Sequence, residues 1–234
     1  MDATENIIEQ LVIDDDSTFD IVDDSTPIIR YMDLVKFLSL IRLESIHFTR
    51  PDKFSDQYEG LSTIDVDSDS FKYADTFRQM SVVSSWNHYQ TESFPLWKIY
   101  LGGSKYGVAI ISDVGSFKDS IISKSVLTSL MPYGVRYVAP SYTYHGMNAS
   151  IIISRKKDFY EFEKEVRIAI EYGSGVTMPE GLDIKINPQI LIKEIICSPY
   201  MPAWVKELLI ENLNDCGFSS IKVSDSIIRD TLLQ

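Results

Sequence analysis

Cysteine and long apolar runs are both scarce in this chain of 234 residues. The two cysteines, Cys197 and Cys216, show neither a metal-ligand spacing nor a disulfide framework. Cys197 lies in the apolar run EIICSP, which favours a small core residue. No stretch approaches eighteen consecutive apolar residues, so we expect no membrane-spanning segment. The N-terminus lacks the basic region of a secretory signal, and a reducing cytoplasm is the simplest interpretation.

Basic residues are absent from the first 26 positions, which carry nine acidic residues. The other 25 acidic residues nearly balance 22 Lys and Arg, although the whole chain has a formal net charge of −12. We therefore divide the chain into an acidic N-terminal arm, residues 1–26, and a domain over residues 27–234. Two interpretations of the arm stay open: a solvated, partly flexible segment, or an acidic strip that covers a basic cleft and regulates it.

From Pro27 onward, predicted helices interleave with short predicted strands, which is typical of a single α+β domain. Strands are expected at residues 27–32, 45–49, 81–86, 106–112, 133–138, 165–172, 182–187 and 219–225. Helices are expected at residues 33–44, 69–80, 91–103 and 201–217, and in the segment that leads to Glu163.

A Glu-Lys-Glu run at residues 163–165 precedes the apolar strand VRIAIEY. Alternation places Val166 on one face with the other β-branched residues, and Glu165 and Arg167 on the opposite face. Charges at the end of a strand are usually solvated and discourage pairing with other chains. The alternative is a catalytic glutamate held on a rigid strand edge.

Four blocks stand out along the chain: RYMDLVKFLSLIRLESIHFTRPDKFSDQYEG, SSWNHYQTESFPLWKIY, YGVAI and FEKEVRIAI. Together they resemble the pattern of an uncharacterised bacterial family, a domain of unknown function, over most of residues 28–199. That family has Cys where this chain has Ser85, and often Met where it has Leu96, so a cysteine nucleophile is absent here. The family supplies no chemistry, so the function must be argued from the residues.

Polar residues in these blocks follow an order similar to that of mono-ADP-ribosyltransferases. Arg30 lies on the first core strand, Ser-Ser-Trp at 84–86 ends a middle strand, and Glu163-x-Glu165 opens a late one. The resemblance implies an ADP-ribosyltransferase-like fold, an α+β domain with a split and bent mixed β-sheet and flanking helices. It also implies NAD as substrate and a macromolecular acceptor, either protein or nucleic acid. The same resemblance suggests a bacterial toxin or phage-defence effector. An antitoxin or inhibitor is then a further candidate partner.

The resemblance implies roles for the carboxylates. Transfer of ADP-ribose passes through an oxocarbenium-like sugar, as glycoside cleavage does. Glu165 is the predicted catalytic group, because a fixed negative charge near the ribose stabilises that cation. Ser85 is predicted to orient Glu165. Glu163 is predicted to face the same side on a continuing strand and to orient or deprotonate the acceptor.

The resemblance also implies cofactor-binding residues, namely Arg30, Tyr31, Arg50, Ser85 and Trp86. Arg30 and Arg50 are predicted to bind the pyrophosphate of NAD, since a planar guanidinium fork suits its oxygens. Tyr31 or Trp86 is predicted to stack on the nicotinamide ring. We predict no metal site, because the histidines of the polar loops have no neighbouring ligands.

Structural explanations compete with the arginine roles. An ion pair with Asp56 or Glu59 explains Arg30 equally well. A turn explains Arg50, which precedes a proline.

Core packing competes with the aromatic roles. Trp86, Trp97 and Tyr100 belong in a core more often than beside a ligand. His47 alternates on an apolar strand, which favours an interior histidine.

Two other function classes stay open at this point. A metal-dependent nuclease would use the acidic loop at residues 52–59 with Asp183-x-Lys185 around Mg²⁺. A non-catalytic module would use the same loop to bind a partner. Against the nuclease, the Glu-x-Glu has no following lysine at nuclease spacing and the chain has no basic stripe.

Overall fold

The computed structural model describes residues 20–54, 56, 59, 69–127, 129–140, 142, 149–171 and 177–229. For residues 70, 71, 124, 125 and 149 it describes the backbone alone. Residues 1–19 of the predicted arm and much of the acidic loop after Lys53 lie outside the described residues. Within the described ranges, no helix is long and apolar enough to cross a membrane.

Short strands and helices alternate along the described chain. The strands are β1 Asp20–Ile21, β2 Pro27–Asp33, β3 Ser45–Thr49, β4 Ser81–His88, β5 Gly107–Asp113, β6 Leu130–Gly134, β7 Arg136–Val138, β8 Arg155–Lys157, β9 Glu165–Glu171, β10 Gly181–Lys185, β11 Glu194–Cys197 and β12 Lys222–Asp225. The α-helices are α1 Leu34–Leu43, α2 Asp69–Gln79, α3 Phe94–Leu101, α4 Val114–Ser120, α5 Lys124–Leu127, α6 Ala149–Ile153, α7 Pro188–Leu191 and α8 Ala203–Asp215. Two 3₁₀ helices cover Pro51–Lys53 and Asp158–Glu163.

A ten-stranded sheet organises the described residues, in the order β1-β6-β9-β4-β2-β5-β11-β12 with β3 and β10 branching from β4. The β11–β12 pair is parallel and the other pairs of this sheet are antiparallel. Strands β7 and β8 form a separate parallel pair. The predicted α+β domain with a mixed sheet and flanking helices is confirmed.

The sheet splits at β4, which pairs with two different strands along one edge. At one end of that edge Thr49 of β3 pairs with Val83, and at the other Ile29 of β2 pairs with Asn87. Between these points, residues 84–86 pair with β9 alone. The predicted split is therefore present, and it leaves residues 84–86 of β4 without a strand neighbour on that edge.

Helix α1 follows from its local sequence and fixes one wall beside the split. The Asp33 carboxylate caps its N-terminus by accepting the Lys36 N–H at 2.8 Å. Phe37 and Ile41 face the core. Glu44 ends the helix with φ 47°, a left-handed conformation that turns the chain directly into β3.

Strand β9 is buried on both faces. Val166, Ile168 and Ile170 belong to the main core, as their alternation predicts. Ala169 packs on the opposite face in a smaller cluster with Val83. Since neither face is open to solvent, charged residues on this strand need partners within the protein.

The end of the predicted arm belongs to the sheet. Asp20 and Ile21 pair with β6, and the Asp24 carboxylate is 2.6 Å from Lys118. Val22 packs against the main core. The boundary predicted at residue 26 falls between β1 and β2, so a truncation that tests the arm and keeps β1 should end at residue 19.

Candidate active site

A cleft of about 610 Å³ opens where β2 and β3 part beside β4. Cavities of this size bind small molecules and cofactors. Its lining includes polar side chains from β2, β3, β4, α3 and β10, namely Arg30, His47, Ser85, Asn87, Tyr100 and Asp183. The unpaired edge of β4 adds backbone polar groups that no neighbouring strand uses.

Arg30 brings a positive charge to this cleft from β2. Its Nη1 donates to Ser84 Oγ at 2.9 Å. Burial lowers the pKa of the guanidinium, although arginine still carries its charge at neutral pH. An ion pair between Arg30 and Glu59 is wrong as an explanation, because Glu59 contacts Arg167 and Lys156.

Glu165 begins β9 beside the cleft and is only 5% exposed. In the β4–β9 pairing it lies opposite Asn87, and Arg167 lies opposite Ser85. Directly opposed residues of an antiparallel pair point to the same face, so these four side chains share one face. Glu165 is therefore an enclosed carboxylate next to the cleft, and its interpretation as a solvated strand end is wrong.

Lys156 joins the two glutamates predicted to be catalytic. Its Nζ is 2.7 Å from Glu163 Oε2 and 3.2 Å from Glu165 Oε2. Burial opposes the charge of Lys156, but the two carboxylates raise its pKa above the ordinary value. Glu163 ends a 3₁₀ helix and Lys164 has φ 43°, so the continuing strand predicted through Glu163 is wrong. The carboxylates converge through Lys156 instead.

Arg167 holds Glu165 from within the same strand. Its Nε and Nη2 donate to the two oxygens of Glu165 at 2.9 Å and 3.0 Å, and its Nη1 donates to Ile153 O at 2.7 Å. Nη2 also contacts Glu59. Burial lowers the pKa of Arg167 to about 9, so the guanidinium still carries its charge at neutral pH.

Strands β7 and β8, which form a sheet of their own, each contribute a side chain that contacts Glu165. Tyr137 of β7 lies opposite Lys156 of β8. The Tyr137 hydroxyl accepts the backbone N–H of Glu165 at 2.7 Å, while Lys156 contacts its carboxylate. One pair of side chains thus fixes both the backbone and the charged group of Glu165.

The cluster has an excess of negative charge. Its buried carboxylates are Glu59, Glu163 and Glu165, and its two cations are Lys156 and Arg167. Burial raises the pKa of Glu165, and the charge of Lys156 opposes that shift. A hydrogen bond from Ser85 also lowers the pKa of Glu165. The predicted contact between Ser85 and Glu165 is thus consistent with their positions.

Tyr100 lines the cleft, although the sequence favours a core position for it. It is 38% exposed and stacks on Tyr31 with ring centroids 6.2 Å apart. Burial of its hydroxyl end raises the pKa of Tyr100 to about 12, and the charges of Glu163 and Glu165 add to the shift. Tyr31 also lines the cleft but is 2% exposed, so Tyr100 presents the larger exposed ring surface there. The signal was its place one helical turn after the core residue Trp97.

Trp86 and Arg50 have contacts of their own. Trp86 is 1% exposed and meets Phe117 edge-on at 5.7 Å, on the face of β4 opposite Ser85. Arg50 forks onto Asp52 at 2.6 Å and 3.0 Å and donates to Met178 O at 2.6 Å. These contacts agree with the core and turn explanations, and cofactor roles for Trp86 and Arg50 stay predictions.

No group of three or more His, Cys, Asp or Glu in the described residues is arranged to hold a metal ion. Asp183 is instead 2.8 Å from His47 Nδ1. The prediction that His47 is an interior residue is wrong, because its side chain is 55% exposed.

Comparison with known proteins finds no matching family model and no matching curated protein. Among solved structures, the chain is similar to Thermus sp. 2.9 DarT in complex with carba-NAD+, with a TM-score of 0.43 and 11% identity over 89% of this chain and 98% of that chain. DarT from the same source in complex with ADP-ribosylated ssDNA gives a TM-score of 0.42 and 11% identity over 91% of this chain and 99% of that chain. At this level of similarity the function must be argued from the chain's own residues.

Proposed function

We propose that the protein is an NAD-dependent ADP-ribosyltransferase that transfers ADP-ribose to a macromolecule, either protein or nucleic acid. One observation carries the proposal. Arg30, Ser85 and Glu165 lie on β2, β4 and β9, three neighbouring strands, at the point where the sheet splits into a cleft. Arg30 and Ser85 line this ligand-sized space, and the enclosed carboxylate of Glu165 lies on the neighbouring strand, on the same face as Ser85.

Glu165 has the properties that cleavage of the nicotinamide–ribose bond requires. The bond breaks with its electron pair leaving on the nicotinamide nitrogen, which leaves positive charge on the sugar. A carboxylate whose orientation is already fixed stabilises that charge without rearranging during the reaction. Arg167, Lys156 and Tyr137 provide the fixed orientation.

The remaining cleft residues suit the rest of the substrate. Arg30 lines the cleft and supplies a guanidinium for the pyrophosphate. The exposed ring of Tyr100 supplies a stacking surface for nicotinamide. Ser85, between them and Glu165, supplies a hydroxyl for the ribose.

Nicotinamide release from NAD tests this function. We expect the purified protein to release nicotinamide and Glu165→Gln to lose about 10²–10³-fold in rate, as when a group stabilising transition-state charge is removed. Glu161→Gln is the matched control, since Glu161 is exposed and lies four residues earlier. Mass spectrometry of protein and nucleic acid from induced cells then identifies the acceptor. Full turnover by Glu165→Gln, or none by the parent protein, contradicts the proposal.

A toxin or defence role is a further part of the proposal, and growth after induction tests it. Cells that express the parent protein should stop growing, whereas cells that express Glu165→Gln should grow normally. Equal growth in both cultures argues against toxicity and leaves the transferase chemistry to the nicotinamide assay.

A further inference from the structure

The acceptor needs a base, and Glu163 is poorly suited to that role. Any neutral hydroxyl or amine that attacks the sugar must lose a proton as the new bond forms. Glu163 is 9% exposed, and its Oε2 is 2.7 Å from the ammonium of Lys156. Lys156 thus occupies this carboxylate oxygen, and Glu163 is not among the residues that line the cleft.

A second polar pair faces the same cleft from the other side of the split. His47 of β3 and Asp183 of β10 are direct neighbours in the strand pairing, with Nδ1 and Oδ1 2.8 Å apart. Both residues line the cleft. Imidazole is the side chain best suited to exchange a proton near neutral pH. A carboxylate on Nδ1 fixes its tautomer and leaves Nε2 as the proton acceptor.

Strand register places His47 across the gap from Ser85. Thr49 pairs with Val83 in an antiparallel register. Two residues further along each strand, alternation brings His47 and Ser85 to opposed positions on the same face. Glu165 shares that face. The imidazole therefore lies across the gap from Ser85, on the face of the sheet that also carries Glu165.

Gly181 gives the imidazole its place on β10. A Cβ at this position would lie 2.4 Å from His47 Cε1 and 2.7 Å from Nε2. The ring therefore lies against bare backbone, where any larger residue would displace it. Among the described residues, Arg30 and Lys36 also line the cleft with charged side chains.

We propose that His47, oriented by Asp183, is the general base that takes the proton from the acceptor in this cleft. The inference rests on the proposed function. The nucleophile's oxygen or nitrogen bonds to the anomeric carbon of the ribose, nicotinamide leaves with the electron pair of the broken C–N bond, and the nucleophile's proton moves to His47 Nε2. The imidazolium then returns the proton to solvent.

A nucleophile that must lose a proton needs the general base, whereas an anionic nucleophile does not. Comparing the two kinds of nucleophile therefore tests the role of His47. With water as acceptor, His47→Gln should lose about 10²-fold in NAD hydrolysis, a typical contribution of a general base. Azide is already anionic, so it should restore turnover of His47→Gln and yield ADP-ribosyl azide. Azide should not rescue Glu165→Gln, which still lacks the charge that stabilises the sugar. His88→Gln is the matched control, and Asp183→Asn should show a smaller loss of the same kind.

A binding measurement supplies a readout besides activity. NAD added to Glu165→Gln should shift the imidazole NMR signals of His47 much more than those of His88. Parent-level hydrolysis by His47→Gln, or loss without azide rescue, overturns the base role while leaving the transferase proposal intact. If the parent protein cleaves no NAD with water or azide, the proposed function fails and this role fails with it.

Discussion

The polar side chains on the two sides of the cleft differ in how far they are exposed to solvent. On the β9 side, Glu165 is 5% exposed and contacts Arg167, Lys156 and Tyr137. On the β3–β10 side, the His47 and Asp183 side chains are 55% and 65% exposed and contact each other. Buried charges are costly unless paired, whereas exposed ones are stabilised by water. We therefore expect the first side to control stability and fixed charge, and the second to control proton transfer at little cost to stability.

Arg167→Met should give the largest effect in this comparison. It removes the fork from Glu165 and the contact to Glu59, which leaves buried carboxylates without a guanidinium partner. Breaking a buried pair typically costs about 3–5 kcal/mol. Urea unfolding at neutral pH measures the loss against Arg42→Met, an exposed arginine on α1. Equal midpoints for the two variants would show that the cluster is not a stability element.

Lys156→Met should give a smaller loss of stability and a shift in pH dependence. Lys156 lowers the pKa of Glu165 against the effect of burial, so its removal should raise that pKa further. The reaction needs the ionised carboxylate, so the acid limb of the NAD-turnover profile should move to higher pH. Lys156→Arg should restore most of the profile, and Lys105→Met, at an exposed position, should leave it unchanged. If the acid limb of Lys156→Met does not move, ionisation of Glu165 does not control NAD turnover.

Tyr100→Ala should affect substrate binding more than folding, because the ring is 38% exposed. Loss of an aromatic contact worth about 0.5–1.5 kcal/mol corresponds to a KM raised roughly two- to tenfold. Initial rates over a range of NAD concentrations measure this. Tyr106→Ala is the control, since Tyr106 is also exposed but does not line the cleft. An unchanged KM in Tyr100→Ala would show that the nicotinamide ring does not stack on Tyr100.

Asp183→Asn should give the smallest change in stability. Exposed ion pairs contribute about 0–1 kcal/mol, so its unfolding midpoint in urea should stay close to that of the parent. A loss as large as that of Arg167→Met would show that the β3–β10 side is also structural, and the contrast between the two sides would disappear.

Local patterns were enough for most elements of the fold. Apolar alternation predicts β9, and the Asp33 cap with the apolar stripe of α1 predicts that helix. These features depend on residues within one or two turns of each other, which is why the sequence reveals them. The segment before Glu163 is different: the predicted helix is a short α6, then β8, then a 3₁₀ helix. Its conformation depends on pairing with β7, which lies about 20 residues earlier.

The candidate site also has features that the sequence predicts and features that it does not. The order of Arg30, Ser85 and Glu165 along the chain suggests a transferase site, and the structure brings these residues to neighbouring strands. The sequence gives no signal that Lys156 and Arg167 enclose Glu165. It also misplaces His47 in the interior, because strand alternation cannot tell which face the rest of the chain covers.

By itself, the sequence determined the residue types, the alternation and the helix caps, and with them an α+β fold in which Glu165 begins a central strand. Tertiary structure alone decided which charges are enclosed and which are open to the cleft. The physical reason is that burial and ion pairing depend on contacts between distant segments. Lys156, Arg167 and Glu59 acquire their roles only when β8, β9 and the loop after β3 meet.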